Sequence, residues 1–397
     1  MKRLVEINAA ANYGSTGRIA EAIGLAAMRS GWECTMVHGP RYANPSQLNE
    51  ICTQGKVGDI MHGLRSLLVD GHGLGSEAAT RRLVAELEGI HPSVVHLHNV
   101  HGYYLNYRVL IEWLRRSDCK VVWTLHDCWS FTGHCTYFDF IGCNRWKKGC
   151  HNCPQLSVYP RSLFVDRSIR NYELKRRLFT SLGDRLTLVP VSRWLEGLVR
   201  ESFFKGSKIQ TIYNGIDTTV FTPRQAERRR DYVLGVASPW SDRKGLGDFV
   251  KLRNVLPEDA DIVLVGLTAK QIKSLPAGIT GIERTQNVDQ LAELYSGATL
   301  FANPTYEDNF PTTNLEAMAC GTPVLTYRTG GSPEALTPST GFVADKGDIG
   351  AVAEAFAQVR QHGKNVYAAA CRERALANFN KDDRYADYVR LYDEVCG

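Results

Sequence analysis

Residues 304–334 read PTYEDNFPTTNLEAMACGTPVLTYRTGGSPE. The run just before them, ATLFANPT, is apolar and β-rich, and predicts a strand ending at Asn303 or Pro304. A loop with Glu307, Asp308 and Asn309 follows, then a helix from about Thr312 or Thr313 with Glu316 in its first turns. Cys320-Gly321-Thr322-Pro323 stops that helix and leads into a second strand-like run, after which Arg328-Thr329-Gly330-Gly331 forms another loop. Strand, loop, helix, strand is the repeating unit of a parallel α/β sheet. A helix N-terminus beside a strand end offers unpaired N–H groups and a positive dipole end. Carboxylates beside it can accept hydrogen bonds from sugar and ribose hydroxyls. A capped helix with solvated acids would account for any one of these acids, but less well for the whole arrangement.

The same alternation extends in both directions. KRLVEIN, WECTMVHG, SVVHLHNV, CKVVWTLHD and LTLVPVS are strand-like and are separated by helical segments. The pattern restarts after Val191 with KIQTIYNGI, DYVLGVAS, ADIVLVGL, ATLFANPT and GTPVLTYR. Two successive α/β sets predict two Rossmann-like domains facing each other across a cleft, since open α/β sheets bind ligands beyond the carboxyl ends of their strands. The expected limits are 1–190, with a cysteine-rich insertion at 128–155, then 191–375, then a C-terminal helix at 376–397 that crosses back. Tyr385, Tyr388, Val389 and Tyr392 give that last segment an apolar stripe at helical spacing.

Composition narrows the class. The chain has 397 residues, 44% hydrophobic and 22% charged, which excludes a collagen-like or disordered chain. Lys and Arg number 47 against 42 Asp and Glu, a net +5 that is too small to argue for nucleic acid. No apolar run of ~18 residues predicts a membrane span. The start, MKRLVEINAAANYGSTGR, is interrupted by Glu6, Asn8 and Asn12 and reads as a strand and a glycine loop, not a signal peptide, so a cytoplasmic protein is expected. The odd count of 11 cysteines argues against a disulfide framework.

Several further groups carry chemistry. GVASPWSDRKGLGDFV, residues 235–250, is a strand running into a loop that ends in Lys244-Gly245 before a helix, an arrangement able to hold a diphosphate. Gly14-Ser15-Thr16-Gly17-Arg18 is a glycine-rich loop after the first strand; it serves as a phosphate approach or as a simple turn. His98, His101 and His126 fall at the ends of two strand-like runs, which favours a site over three separate structural histidines. Cys135, Cys143, Cys150 and Cys153 suit a structural zinc by number, and equally four reduced thiols or a redox pair. Residues 161–179, with Arg161, Arg167, Arg170, Lys175, Arg176 and Arg177, form a solvated face or an anionic-lipid contact. Asp259-Ala260-Asp261 precedes its strand and reads as a solvated turn, not a metal–nucleotide motif.

EAMACGTPV at 316–324 resembles the signature of family 4 of the retaining nucleotide-sugar glycosyltransferases, which have the two-Rossmann GT-B architecture. The H-x-H and T-x-H-D runs, and Asn214-Gly215-Ile216-Asp217 with Phe221, are similar to further family elements, so the resemblance covers nearly the whole chain. It implies transfer of a hexose from a nucleotide diphosphate sugar to a glycan or polyprenyl-linked glycan, as in bacterial capsule or colanic-acid-type assembly, at the inner face of the membrane. The alternatives are a nucleotide-sugar epimerase of the same fold and a non-catalytic binding protein. The N-terminal domain would take the acceptor and the C-terminal domain the donor. His126 would approach donor sugar and acceptor, His98 and His101 would lie on the acceptor side, and Lys244 would hold the diphosphate, with Ser238 where the family has an Arg and Arg243 beside the Lys. Glu316 would bind ribose, and Asn309, Phe310, Pro311 and Thr312 the hexose. The family's first acid falls on Asp308 by register, or on Glu307 with one extra residue. The resemblance implies no cofactor for catalysis.

Overall fold

The computed structural model describes residues 2–225 and 230–397. The chain forms two compact units, one running to Tyr213 and taking in Arg384–Gly397, the other spanning Asn214–Asp383. The strands are β1 (Arg3–Ile7), β2 (Ala10–Ala11), β3 (Glu33–His38), β4 (Tyr42–Ala43), β5 (Asn49–Cys52), β6 (Val94–Leu97), β7 (Lys120–Leu125), β8 (Leu186–Pro190) and β9 (Lys208–Ile209) in the first unit. In the second they are β10 (Tyr232–Val236), β11 (Asp261–Val265), β12 (Ile279–Ile282), β13 (Leu300–Asn303), β14 (Val324–Tyr327) and β15 (Gly341–Ala344).

The first unit carries a seven-stranded sheet in the order β5-β3-β1-β6-β7-β8-β9, and the second a six-stranded sheet in the order β12-β11-β10-β13-β14-β15. All neighbours in both are parallel, and a two-residue β2–β4 ribbon lies beside the first sheet. The central strands are buried on both faces, as parallel sheets covered by helices require, while the edge strands β5, β9 and β12 are partly exposed. In each sheet the chain starts in the middle, fills one side, then returns to fill the other. The order reverses between β1 and β6, and between β10 and β13, so each unit has a crevice where loops diverge from neighbouring strand ends.

The division after Tyr213 corrects the expected limit at 190/191. KIQTIYNGI supplies not the first strand of a new sheet but the edge strand β9 of the first, paired with β8 and extended by Gln210 N–H to Leu188 O and Ile212 N–H to Pro190 O. The expected helix 376–397 is two pieces, Asn365–Phe379 and Lys381–Cys396, with Asn380 between them in extended backbone bridging to Ile216. The stripe of the last helix, with Tyr385, Tyr388, Val389 and Tyr392, packs with Leu4, Val94 and Val122 of the first sheet, so the chain returns to the unit in which it began. Strands β5, β12 and β15 are short and lacked a signal strong enough to read. Among the described residues no helix is long and apolar enough to cross a membrane.

Candidate functional site

In the second unit, the loops after β10 and β13 are tied together. Tyr306 N–H and the Thr305 hydroxyl both donate to the Arg243 carbonyl, at 2.8 and 3.3 Å. Gly245 begins the helix Leu246–Arg253 at φ +75°, and a Cβ there would lie 2.2 Å from Pro304 O, so only glycine lets the two loops meet. The side chains continue the pairing. Lys244 Nζ donates to Asp308 Oδ2 at 2.5 Å, and Arg243 donates to Glu307 Oε2 at 3.3 Å. Both acids therefore face the cationic loop. Glu307 is buried, while Asp308 also holds Asn309 N–H at 2.9 Å. Ser238 is exposed on the same loop.

The helix Thr312–Ala319 opens on Pro311, with no side chain capping its first N–H groups. Glu316 accepts from the Tyr295 hydroxyl at 2.9 Å. Tyr295 is buried, and burial with the neighbouring Glu316 charge holds its phenol well above the usual range, so it stays a donor. Phe310 is buried, and its carbonyl accepts from Asn214 at 3.1 Å. Under the loop runs a buried chain that sequence reasoning missed. Asn303 donates to Asn314, Asn314 donates to Ser332 and Ser332 pairs with Thr326, at 2.9, 2.9 and 2.6 Å. Gly330, at φ +53°, lets the loop after β14 pass so close that a Cβ would lie 2.0 Å from Asp308 O. Nothing in a single Asn or Ser announces such a chain, although Asn314 sits inside the quoted stretch.

In the first unit, Gly14 and Gly17 occupy the first turn of the helix Gly14–Arg29, not a loop before it. Gly17 has no room for a side chain without pressing Ala10 O, at 3.1 Å, so the glycines bring the helix start against β2. His98 and His126 meet, with His98 Nδ1 3.1 Å from His126 Nε2 and the rings stacked. Behind them, His98 Nε2 lies 2.7 Å from Glu6 Oε2, a fully buried carboxylate that sequence reasoning passed over as an interruption of the first strand. Burial alone would raise the Glu6 carboxyl, but charge and hydrogen bonds from His96 and His98 outweigh it and hold it down to about 2. Burial pushes His98 down to about 4 and His126 well below the usual imidazole value, so both are neutral near pH 7. His101 is apart from this pair and binds Asp127 at 2.8 Å, while Asp127 holds Trp129 N–H.

The four cysteines Cys135, Cys143, Cys150 and Cys153 line one cavity of about 10 Å³, together with His134. Gly133 N–H donates to Cys150 Sγ at 3.2 Å. Lys175 does not fit either reading of the basic segment. It is buried, donating to Trp129 O and Thr132 O at 2.8 and 3.0 Å and lying over the Trp129 ring, so it anchors the cysteine loop instead of facing solvent or lipid. Asp259 is tied to Arg360 and Asp261 opens β11, on the edge opposite the strand carboxyl ends. Among the described residues, Glu6, His96 and His98 are the one group whose metal-binding atoms converge within 4.8 Å. Their atoms are already engaged: His96 Nδ1 lies 2.6 Å from the Tyr392 hydroxyl and Nε2 2.7 Å from Thr124, which makes this a hydrogen-bond network.

Two parallel sheets, each with a switch point where its strand order reverses, define a two-Rossmann protein of the GT-B type. The structural likenesses agree on the fold. Sucrose-phosphate synthase from Thermosynechococcus elongatus superposes with a TM-score of 0.73 at 18% identity, covering 100% of this chain and 99% of that one. HepE of Anabaena, solved in complex with UDP-glucose, gives 0.65 at 14% identity over 99% and 100%. A protein named as a colanic acid biosynthesis glycosyl transferase, WcaC of Escherichia coli (strain K12), is 26% identical over 330 residues, 77% of each chain. The Glycosyltransferase Family 4 domain matches residues 16–220 and the Glycosyl transferases group 1 domain matches residues 230–362, so the chain belongs to glycosyltransferase family 4 and is a glycosyltransferase.

Proposed function

We propose that this enzyme transfers a hexose, with retention of anomeric configuration, from a nucleotide diphosphate sugar to a hydroxyl of a glycan or polyprenyl-linked glycan in polysaccharide assembly. The observation that carries the reading is the junction of the Lys244 loop with the acid loop at the β10–β13 switch point. The donor's diphosphate displaces Asp308 from Lys244 and takes that cation, and Glu316 accepts the ribose hydroxyls. Backbone groups of Asn309, Phe310, Pro311 and Thr312 receive the hexose. As the glycosidic bond breaks, Lys244 and the helix N-termini stabilise the charge on the leaving phosphate, which accepts the proton of the incoming hydroxyl on the same face. No protein nucleophile is needed, and no close pair of carboxylates of the glycosidase kind. A UDP-sugar is the donor to test first, since HepE was solved with UDP-glucose. Thermal shift with UDP-, GDP- and ADP-sugars, followed by NMR of the product anomer, tests the reading. A stabilising donor and an α-linked product from an α-donor are expected. No shift and no turnover with any donor would overturn it.

Two accessory features belong to the same reading. A structural zinc in the cysteine loop would draw the thiols together, since they and His134 line one cavity but no three of their ligand atoms stand within 4.8 Å of one another. His134 Nδ1 lies 2.7 Å from Asp70, and its buried Nε2 has no hydrogen-bond partner, the arrangement of a carboxylate-backed imidazole ligand. Elemental analysis of untagged protein should find about one zinc per chain. The enzyme works in the cytoplasm, against the inner face of the membrane. The helix Lys56–Val69 leaves Val57, Ile60, Met61, Leu64 and Leu68 exposed along one stripe, continued by Leu163 and Phe164 through the Leu163 N–H to Leu67 O bond. Exposed Lys56, Arg65 and Arg161 rim this stripe and suit an anionic bilayer. Vesicles containing phosphatidylglycerol should float the protein and neutral vesicles should not, and equal binding to both would refute the contact.

A further inference from the structure

The third residue of the helix Leu246–Arg253 is a buried acid, Asp248, which is 4% exposed. Its Oδ2 accepts two phenol hydroxyls, from Tyr306 at 2.6 Å and from Tyr327 at 2.9 Å, and its Oδ1 accepts Lys251 Nζ at 3.0 Å. Burial, together with the hydrogen bond to Asp248 and its charge, pushes the Tyr306 hydroxyl up to about 12 and raises Tyr327 as well, so both remain donors. A carboxylate taken out of water is costly, and an apolar residue in such a place often supports a fold as well or better. The two hydroxyls differ in where they come from. Tyr327 ends β14, whereas Tyr306 lies in the acid loop, directly before Glu307 and Asp308. Tyr306 also donates its backbone N–H to Arg243 O at 2.8 Å. One residue of the acid loop therefore grips the β10 loop and its helix at two points, Arg243 and Asp248, and Lys244 lies between them.

We propose that Asp248 and Tyr306 are positioning residues that keep the Lys244 loop and the acid loop in register when the donor's diphosphate takes Lys244 from Asp308. The catalytic role rests on the donor reading above; the tie between the loops does not. The Lys244–Asp308 ion pair cannot hold the loops together during turnover, because the diphosphate replaces it. Asp248 is buried and holds Tyr306 by a hydroxyl, not by a cation, so the exchange at Lys244 leaves this bond intact. Lys244 thus stays in place against the backbone of the acid loop. The cation is already positioned as charge develops on the leaving phosphate, and no part of the barrier is spent on ordering its loop.

Tyr306→Phe and Tyr327→Phe each remove one hydroxyl from the same carboxylate oxygen and keep the ring, so each costs the fold a bond of the same kind. Only the first unties the loops. Deuterium uptake by residues 241–248 and 304–309, read by mass spectrometry without ligand, should be on the order of 10-fold faster in Tyr306→Phe and as in wild type in Tyr327→Phe. Steady-state kinetics use the nucleotide sugar that wild-type enzyme turns over, with UDP-glucose tried first. In Tyr306→Phe kcat should fall on the order of 10-fold with acceptor KM unchanged, while Tyr327→Phe should keep the wild-type kcat. Equal effects of the two substitutions, in exchange or in kcat, would overturn the proposal, since a bond that only stabilises the fold is indifferent to which hydroxyl supplies it. A Tyr306→Phe enzyme with wild-type exchange and wild-type kcat would overturn it too. Failure of the transferase reading would appear separately, as no turnover of any nucleotide sugar by wild-type enzyme, and the exchange comparison would still decide the tie.

Discussion

Acidification from pH 7 to pH 5 should destabilise the first unit sharply, because it buries histidines that must stay neutral. His62, on the helix Lys56–Val69, is the clearest case. Its Nε2 accepts the N–H groups of Gly73 and Gly75, both at 3.1 Å, and its Nδ1 pairs with Ser76 Oγ at 2.9 Å. A proton added at Nε2 would face two N–H donors with no acceptor. Burial, reinforced by the charge of Arg65, accordingly pushes this imidazole down to about 4, as burial does for His98. Both groups have folded-state values below the unfolded value of 6.5, so the unfolded chain takes up the protons first. Stability is therefore full above pH 6.5 and is lost as pH falls towards 4. Linkage gives about 2 kcal/mol per histidine between pH 7 and pH 5, hence roughly 4 kcal/mol for the pair. For a unit of this size that lowers Tm by roughly 8–16 °C. Calorimetry at the two pH values measures it, with His62→Gln as the control that should remove about half of the pH-dependent loss. A Tm that holds within about 2 °C between pH 7 and pH 5 would refute the assignment of these rings as buried and neutral.

Lys244→Ala should reduce kcat on the order of 10²-fold, with a smaller change in donor affinity, because the charge it stabilises is fully developed only as the bond breaks; steady-state kinetics decide. Glu316→Gln keeps the acceptor needed by the Tyr295 hydroxyl but offers fewer lone pairs to ribose, so nucleoside diphosphate should bind about 10-fold more weakly by calorimetry at an unaltered Tm. Gly245→Ala places a methyl against Pro304 O at positive φ, and should cost on the order of 3 kcal/mol in denaturant unfolding and detach the Lys244 loop from the acid loop.

Much of this molecule was legible in the order of its residues. The alternation of short apolar runs with helical periods gave the parallel sheets, and EAMACGTPV fixed the family resemblance through chemistry local to one loop and one helix. Local signals fail where an element depends on its partner. KIQTIYNGI has the composition of a strand in either domain, and only its register against β8 assigns it to the first. Lys175 reads as one more cation in a basic segment until the fold wraps two carbonyls and an indole around it. The acid register at 307 and 308 likewise had two answers in sequence, whereas in the folded chain each acid has its own cation.

The Glu6–His98–His126 contacts show the limit most plainly. Glu6, His98 and His126 are separated by 92 and 28 residues along the chain, and none carries a motif that announces the others. The sequence by itself determined that a carboxylate would sit in the first strand and histidines at the ends of two later ones. Only the tertiary structure decided that β1 and β6 would be neighbours, which buries that carboxylate against His98 and excludes water from it. Pairing across a sheet is set by packing between segments distant in the chain. In the absence of competing water, the resulting hydrogen bonds determine which nitrogen keeps its proton.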